Sequence, residues 1–426
     1  MRPTLRGLAF VFTLGVSAAA QAAGPAVTST HCRETEVVLD STHSAARLSG
    51  CGSDETADLL WHLDRIDQID SHLDGAYHRD QTGAGAIVYV MDTGVMAAHS
   101  EFLTTAGSRV IAGYDATSSL TAGTSHCTSP NKATDPCFAN YNELAESSHG
   151  TAVASLVAGR FVGVAPEATI VSIRVMNEAA LATTRTYLEG LDAIVRHAFA
   201  PTSPRFHTAV VNISGWVLER LATSRDPNPI PFAVVEQKIR TMIGGIDANG
   251  NPDPNGKRFF FTVAGNNTDS GCGRDGVVDR FPATLGKELD GLITVGGMTA
   301  QNDWWSGACH GGVEILAPSQ SVFSASISAT DHYRGATLRS GTSFGAPIIA
   351  GIAARMLSAH PELSPAEIEA AIEATPSRIS NPDAMYADGR VAVFPSPAPA
   401  RPAAWVRTAS AYGFAAENGG GANLHR

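Results

Sequence analysis

Three short stretches of this chain carry side chains able to do covalent chemistry. Asp92, in Met91-Asp92-Thr93-Gly94, closes the continuous apolar run 86–92, which places a carboxylate at the carboxyl end of a buried strand, the edge where open α/β sheets build their sites. His149, in Ser148-His149-Gly150-Thr151, opens an apolar helix running through Val153, Leu156 and Val157. Ser343, in Ser340-Gly341-Thr342-Ser343-Phe344-Gly345-Ala346-Pro347, leads into a very apolar helix through Ile348, Ile349 and Ile352. Small residues around Ser343 let a substrate backbone approach, and a helix N-terminus favours developing negative charge. Taken singly, Asp92 could cap a turn, His149 could be an ordinary helix-start residue and Ser343 an N-cap. Taken together they supply three roles. A serine hydroxyl is a poor nucleophile until a base takes its proton, and that base must be oriented by a buried carboxylate.

These residues need a scaffold, and the apolar pattern supplies one. Strands are predicted over 86–92, 169–176, 208–214, 258–264 and 291–298. Between them, 184–199 puts Leu188, Leu191, Ile194, Val195 and Ala198 on one helical face, and 231–243 is a second helix of that kind. Ser364-Pro365-Ala366-Glu367 is a helix start, with Ser as cap, Pro in the first turn and Glu reaching back. Strands apolar on both faces and separated by helices predict a mostly parallel sheet in one α/β domain. Residues 23–56 are polar and without clear period, an arm or short pro-segment, and 247–256 is a surface loop. From 395 to 426 the chain turns to Pro, Ala and Gly, a tail rather than a core element. No internal repeat is present.

The composition is globular, with 44% hydrophobic and 17% charged residues in 426. A net charge of −11 with no basic patch argues against a nucleic-acid partner held by its phosphates. Arg2 and Arg6 precede an apolar run from Leu8 to Ala20, and Ala20-Gln21-Ala22 offers a small-residue cleavage site. Residues 1–22 therefore read as a secretory signal peptide, too short to span a bilayer. Its removal takes two arginines and brings the charge to −13. No other run is expected to reach spanning length, so the exported chain is expected to be soluble, without a membrane partner, and monomeric. Six cysteines suit an oxidising compartment. Pairing them in chain order gives Cys32–Cys51, Cys127–Cys137 and Cys272–Cys309, though other connectivities are open. No CxxC is present, which makes a zinc or redox site a poor reading.

At the level of ordered motifs the sequence resembles the subtilases, and within them the proteinase K-like branch. The resemblance rests on Trp61-His62-Leu63-Asp64-Arg65-Ile66-Asp67-Gln68, Val90-Met91-Asp92-Thr93-Gly94 with His99-Ser100-Glu101-Phe102, His149-Gly150-Thr151, Gly163-Val164-Ala165-Pro166, Ala264-Gly265-Asn266 and Ser340 to Pro347. It covers roughly residues 60–380. It implies a three-layer subtilisin-like fold around a doubly wound parallel sheet, with the peptidase domain over 57–394. It implies a secreted serine endopeptidase acting on proteins or peptides, in which Asp92 orients His149, His149 is general base and then acid, and Ser343 attacks the scissile carbonyl. Asn266 would be the oxyanion-hole donor, together with the Ser343 amide. The edge Ile213-Ser214-Gly215 would bind substrate as an added strand, with Trp216 beside the specificity pocket. No cofactor is required. Relatives often hold structural calcium, and Asp247-Ala248-Asn249-Gly250-Asn251-Pro252-Asp253 alternates oxygen ligands but lacks a downstream bidentate Glu.

Departures from the family pattern are also visible. Ser214-Gly215-Trp216-Val217 stands where relatives usually read Ser-Leu-Gly-Gly, and Ala152 stands where they often have a second His. Trp216 could narrow the pocket or point into the core. The stretch before Trp61 is short for the family's folding-assistant propeptide. A catalytically inactive scaffold kept for binding is one rival reading. A GxSxG esterase built on Gly341-Thr342-Ser343-Phe344-Gly345 is another, but it would need Asp383 or Asp388 and then His425 in the tail.

Overall fold

In a computed structural model of the chain, the described residues are 33–39, 44–49, 60–73, 77–117, 148–177, 180–217, 230–273, 276–327, 336–380 and 389–394. Residues 1–22, expected to be a signal peptide, most of the 23–56 arm, the 395–426 tail, and Cys32, Cys51, Cys127 and Cys137 lie outside them, as do Asp383, Asp388 and His425.

Seven strands form one sheet: β1 (Ile87–Asp92), β2 (Val110–Asp115), β3 (Thr169–Arg174), β4 (Thr208–Ile213), β5 (Arg258–Ala264), β6 (Leu292–Met298) and β7 (Ile315–Pro318). Their spatial order is β7-β6-β5-β4-β1-β3-β2, and every pairing within the sheet is parallel. Strand order reverses at β1, so Asp92 stands at the carboxyl end of the strand where a doubly wound sheet opens a crevice.

Two helical layers cover the sheet because its strands are apolar on both faces. Val88 and Val90 of β1 face α1 (His149–Ala158), α4 (Thr342–Ala359) and α5 (Pro365–Glu373), whereas Ile87, Tyr89 and Met91 face α2 (Thr184–Ala198) and α3 (Phe232–Gly244). The capping box expected at α5 is present, with Ser364 and Glu367 bonding each other's backbone N–H. The arrangement is the predicted three-layer α/β fold.

Some expectations are corrected. Edge strands β2 and β7 lie outside the predicted set. β2 is only half covered and slips register between Ala112 and Tyr114, and β7 has four residues ending in Pro318. The arm holds an antiparallel ribbon, Arg33–Leu39 with Ser44–Ser49, whose slip between Thr35 and Val38 breaks the two-residue period. By length and composition α4 could cross a membrane, contrary to the expectation that no run beyond the leader would, but 83% of it is buried as the central helix of one core. Cys272 and Cys309 are joined, as paired from sequence.

Candidate active site

The carboxyl edge of the sheet is built outward from β1. The Asp92 side chain is fully buried, and its Oδ1 accepts from the Thr93 amide at 2.7 Å and the Thr93 hydroxyl at 3.2 Å. The same oxygen lies 2.8 Å from His149 Nδ1. Thr93 also ties the strand to α1, since its Oγ1 accepts from the Gly150 amide at 2.9 Å. That N–H is one of those a helix leaves unsatisfied at its start. Gly150 has to be glycine, because a Cβ there would stand 2.1 Å from the Gly94 carbonyl oxygen. One turn of α1 is thus locked against the residues that follow Asp92, and His149 at its head is only 15% exposed.

Ser343 lies in the first turn of α4, and Phe344 beside it packs on the His149 ring with centroids 5.5 Å apart. The Ser343 hydroxyl donates to the Ser214 carbonyl at 3.2 Å, and the Ser214 hydroxyl donates to the Ser343 carbonyl at 2.8 Å. The segment after β4 therefore holds Ser343 at two points. Met91 pairs with Ile213 across β1 and β4, so Asp92 and Ser214 leave the sheet side by side.

The segment after β5 closes the site from the other side. Asn266 is a buried non-glycine residue with φ +69°, a conformation kept only when its surroundings impose it. The Cys309 amide donates to its carbonyl, next to the Cys272–Cys309 bridge. Neither atom of the Asn266 amide has a hydrogen-bond partner among the described residues. Asn267, which the sequence did not single out, clamps this segment to α4 by accepting from the Thr342 amide at 2.9 Å and the Thr342 hydroxyl at 3.2 Å. The doubled Asn after an apolar strand was the available signal.

Gly215 and Trp216 follow Ser214. A Cβ on Gly215 would fall 2.1 Å from Met176 Cε, so a larger residue there would have to push the end of the Met176 side chain aside. Trp216 is half-buried, and its ring stacks on the buried Arg280 guanidinium at 5.0 Å rather than entering the core. Val217 bridges to Phe281, which fixes that stack beside the Ser214 edge. Asp247 spends its carboxylate on its own loop, accepting from the Asn249 and Asn251 amides, and those bonds, Asn251 foremost, hold its pKa below the usual range. This is an Asx turn closed on itself. Among the described residues no group of three or more His, Cys, Asp or Glu side chains is placed to hold a metal.

Comparison with known proteins now decides the family. A family model described as the subtilase family matches residues 83–392. The chain belongs to the subtilase family. It is 27% identical over 319 residues to an alkaline serine exoprotease A of Vibrio alginolyticus, which covers 74% of this chain and 46% of that protein. It is 28% identical over 329 residues to an extracellular serine proteinase of Thermus sp. (strain Rt41A), covering 75% and 63%. A crystal structure of a cold-adapted subtilisin-like serine proteinase superposes with a TM-score of 0.55 at 25% identity, covering 79% of this subtilase chain and 97% of the other. The chain thus spans about half to two thirds of the length of these two curated relatives.

Proposed function

We propose that this subtilase is an exported serine endopeptidase that hydrolyses peptide bonds in proteins through Asp92, His149 and Ser343. Its peptidase domain spans 57–394, behind a signal peptide at 1–22 and the arm at 23–56, and it works as a monomer without a cofactor. The observation that carries the reading is the 2.8 Å contact between a fully buried carboxylate and His149 Nδ1, made beside the helix start that presents Ser343. With Nδ1 held by Asp92, Nε2 takes the proton of Ser343 as Oγ attacks the scissile carbonyl. The resting hydroxyl is parked on the Ser214 carbonyl, so attack begins with its turn towards His149. The new oxyanion meets the Ser343 amide and Asn266 Nδ2, a buried donor with no competing partner among the described residues. His149 then protonates the departing amine as its bond to the acyl carbon breaks; water attacks the acyl-enzyme with His149 again as base, and His149 returns that proton to Ser343 Oγ as the acid product leaves. The substrate backbone lies along Ser214-Gly215-Trp216, where the Trp216–Arg280 stack walls the pocket.

The test is fluorophosphonate labelling of the purified mature protein beside Ser343→Ala and His149→Ala, with casein hydrolysis in parallel. Labelling at Ser343 that requires His149, with casein cleavage, is the expected result. Folded protein that neither labels nor cleaves would instead support an inactive scaffold, and labelling indifferent to His149 would revive the esterase reading.

A further inference from the structure

Proline at position 347 creates a vacancy in the hydrogen bonding of α4. In an α-helix the N–H of residue 347 would donate to the carbonyl of residue 343, and proline has no N–H to give. The carbonyl left over belongs to Ser343. Its partner is supplied from another element: the Ser214 hydroxyl, 2.8 Å away and buried. A serine hydroxyl has one hydrogen and can rotate it, so something has to choose its direction.

Asn212 makes that choice. Its Nδ2 donates to Ser214 Oγ at 3.0 Å, occupying the acceptor side of the hydroxyl and sending its hydrogen to Ser343. The amide itself is held the right way round by Thr262, whose Oγ1 donates to Asn212 Oδ1 at 3.0 Å. Asn212 and Thr262 are register partners on β4 and β5, and both are fully buried. Three donors therefore run in one direction, Thr262 to Asn212 to Ser214 to the Ser343 carbonyl, from the middle of the sheet to the first turn of α4.

We propose that Asn212 is a positioning residue for the nucleophile, fixing through Ser214 the backbone of Ser343 where Pro347 has removed the helix's own bond. This rests on the reading of Ser343 as nucleophile. Asn212 touches neither substrate nor reacting atoms; it acts by polarity, because an acceptor in its place would turn the Ser214 hydrogen away from Ser343.

The experiment compares Asn212→Asp, Thr262→Val, Ser214→Ala, Pro347→Ala and the double variant Ser214→Ala/Pro347→Ala with the full mature enzyme. It measures kcat and KM on a chromogenic peptide, the rate of fluorophosphonate labelling at Ser343, and Tm. Asn212→Asp and Ser214→Ala should each lower kcat and the labelling rate about 10- to 100-fold, the scale expected when a reacting group is slightly misplaced. KM should move little, and Thr262→Val should act in the same direction but less. Pro347→Ala should recover most of the Ser214→Ala loss, because the new N–H can take the Ser343 carbonyl. A role in stability alone would lower Tm without that rescue, and such a result overturns the proposal. So does an enzyme labelled at Ser343 whose kcat is indifferent to Asn212→Asp and Thr262→Val. Should Asn212→Asp fail to fold, Thr262→Val and the Ser214/Pro347 cycle still decide. Absence of labelling in the parent enzyme would remove the nucleophile reading first, and this inference with it.

Discussion

At the carboxyl edge of the sheet, Asp92 is fully buried and its Oδ1 gathers the Thr93 amide, the Thr93 hydroxyl and His149 Nδ1. At the amino edge, Glu314 and Glu369 are nearly as buried, but each is met by one backbone N–H, from Thr294 and Gly291 respectively. Burial pushes the Glu314 carboxyl up to about 8 and the Glu369 carboxyl up to about 10, with the Glu314 charge adding to the rise at Glu369. Both burials are comparable, and the donors differ. A carboxylate taken out of water needs several donors or an opposite charge to stay ionised, and without them it keeps its proton. Depth alone therefore does not set a buried carboxyl's proton; at Glu314 and Glu369 a single N–H leaves burial in control.

The largest effect that could break this comparison is catalytic. Asp92→Asn should lower kcat on the order of 10⁴-fold while Tm changes little, since the loss is of imidazole orientation rather than packing. Glu369→Gln should leave kcat unchanged, and a comparable fall there would mean that the amino edge also serves the reaction. Steady-state kinetics on one peptide, with Tm measured for both variants, makes the comparison.

The next effect is on stability, and its sign follows from the direction of the shifts. Glu369 in the folded protein ionises well above the ordinary range near 4.5, so between about pH 4.5 and 10 the unfolded chain holds fewer protons and stability falls as pH rises. The groups facing it do not reverse this: Glu314, Glu373 and Asp290 all raise it, and only the Gly291 amide opposes. Glu369→Gln removes the need to stay protonated. It should raise Tm at pH 9 by about 2–4 °C, the shift expected for about 1 kcal/mol in a domain of a few hundred residues, and change it little at pH 5. A gain equal at both pH values would mean that packing, not protonation, is the cause. Thermal melts across pH 5–9 measure it.

How much of this was legible beforehand differs between the two edges. β1, β3, β4, β5 and β6 and the helices α2, α3 and α5 follow from apolar periodicity and one capping box, because each is buried in the way its pattern encodes. Asp92, His149 and Ser343, the proposed triad, could be singled out because each begins or ends such an element. Asn267, Thr93 and Asn212 were not legible, since they act through partners 50 to 75 residues away or one or two residues along the chain, and polar residues at strand ends read as turns. Glu314 and Glu369 were invisible for the same reason: what sets their proton is the neighbourhood that α5, β6 and β7 assemble. Sequence order locates the proposed carriers of the chemistry, while the hydrogen bonds around them are made only by folding.

Glu101 lies between the two cases and sharpens the comparison with the smallest effect. It is buried, and one carboxylate oxygen accepts from the Phe161 amide at 2.9 Å and from the Val162 amide at 3.5 Å, just beyond the end of α1. Burial raises its pKa, and the two amides with Arg109 and Arg160 nearby restrain the rise to about 7, below Glu314 and Glu369. If donors set the proton, the pH dependence of stability due to Glu101 should be confined to about pH 4.5–7 and be flat above it, because once ionised in both states it contributes no further slope. Glu101→Gln should therefore narrow the Tm difference between pH 5 and pH 7 by a degree or two and leave the interval from pH 7 to 9 as in the parent. A change that extends to pH 9 would place Glu101 with Glu369, and two backbone donors would then count for no more than one.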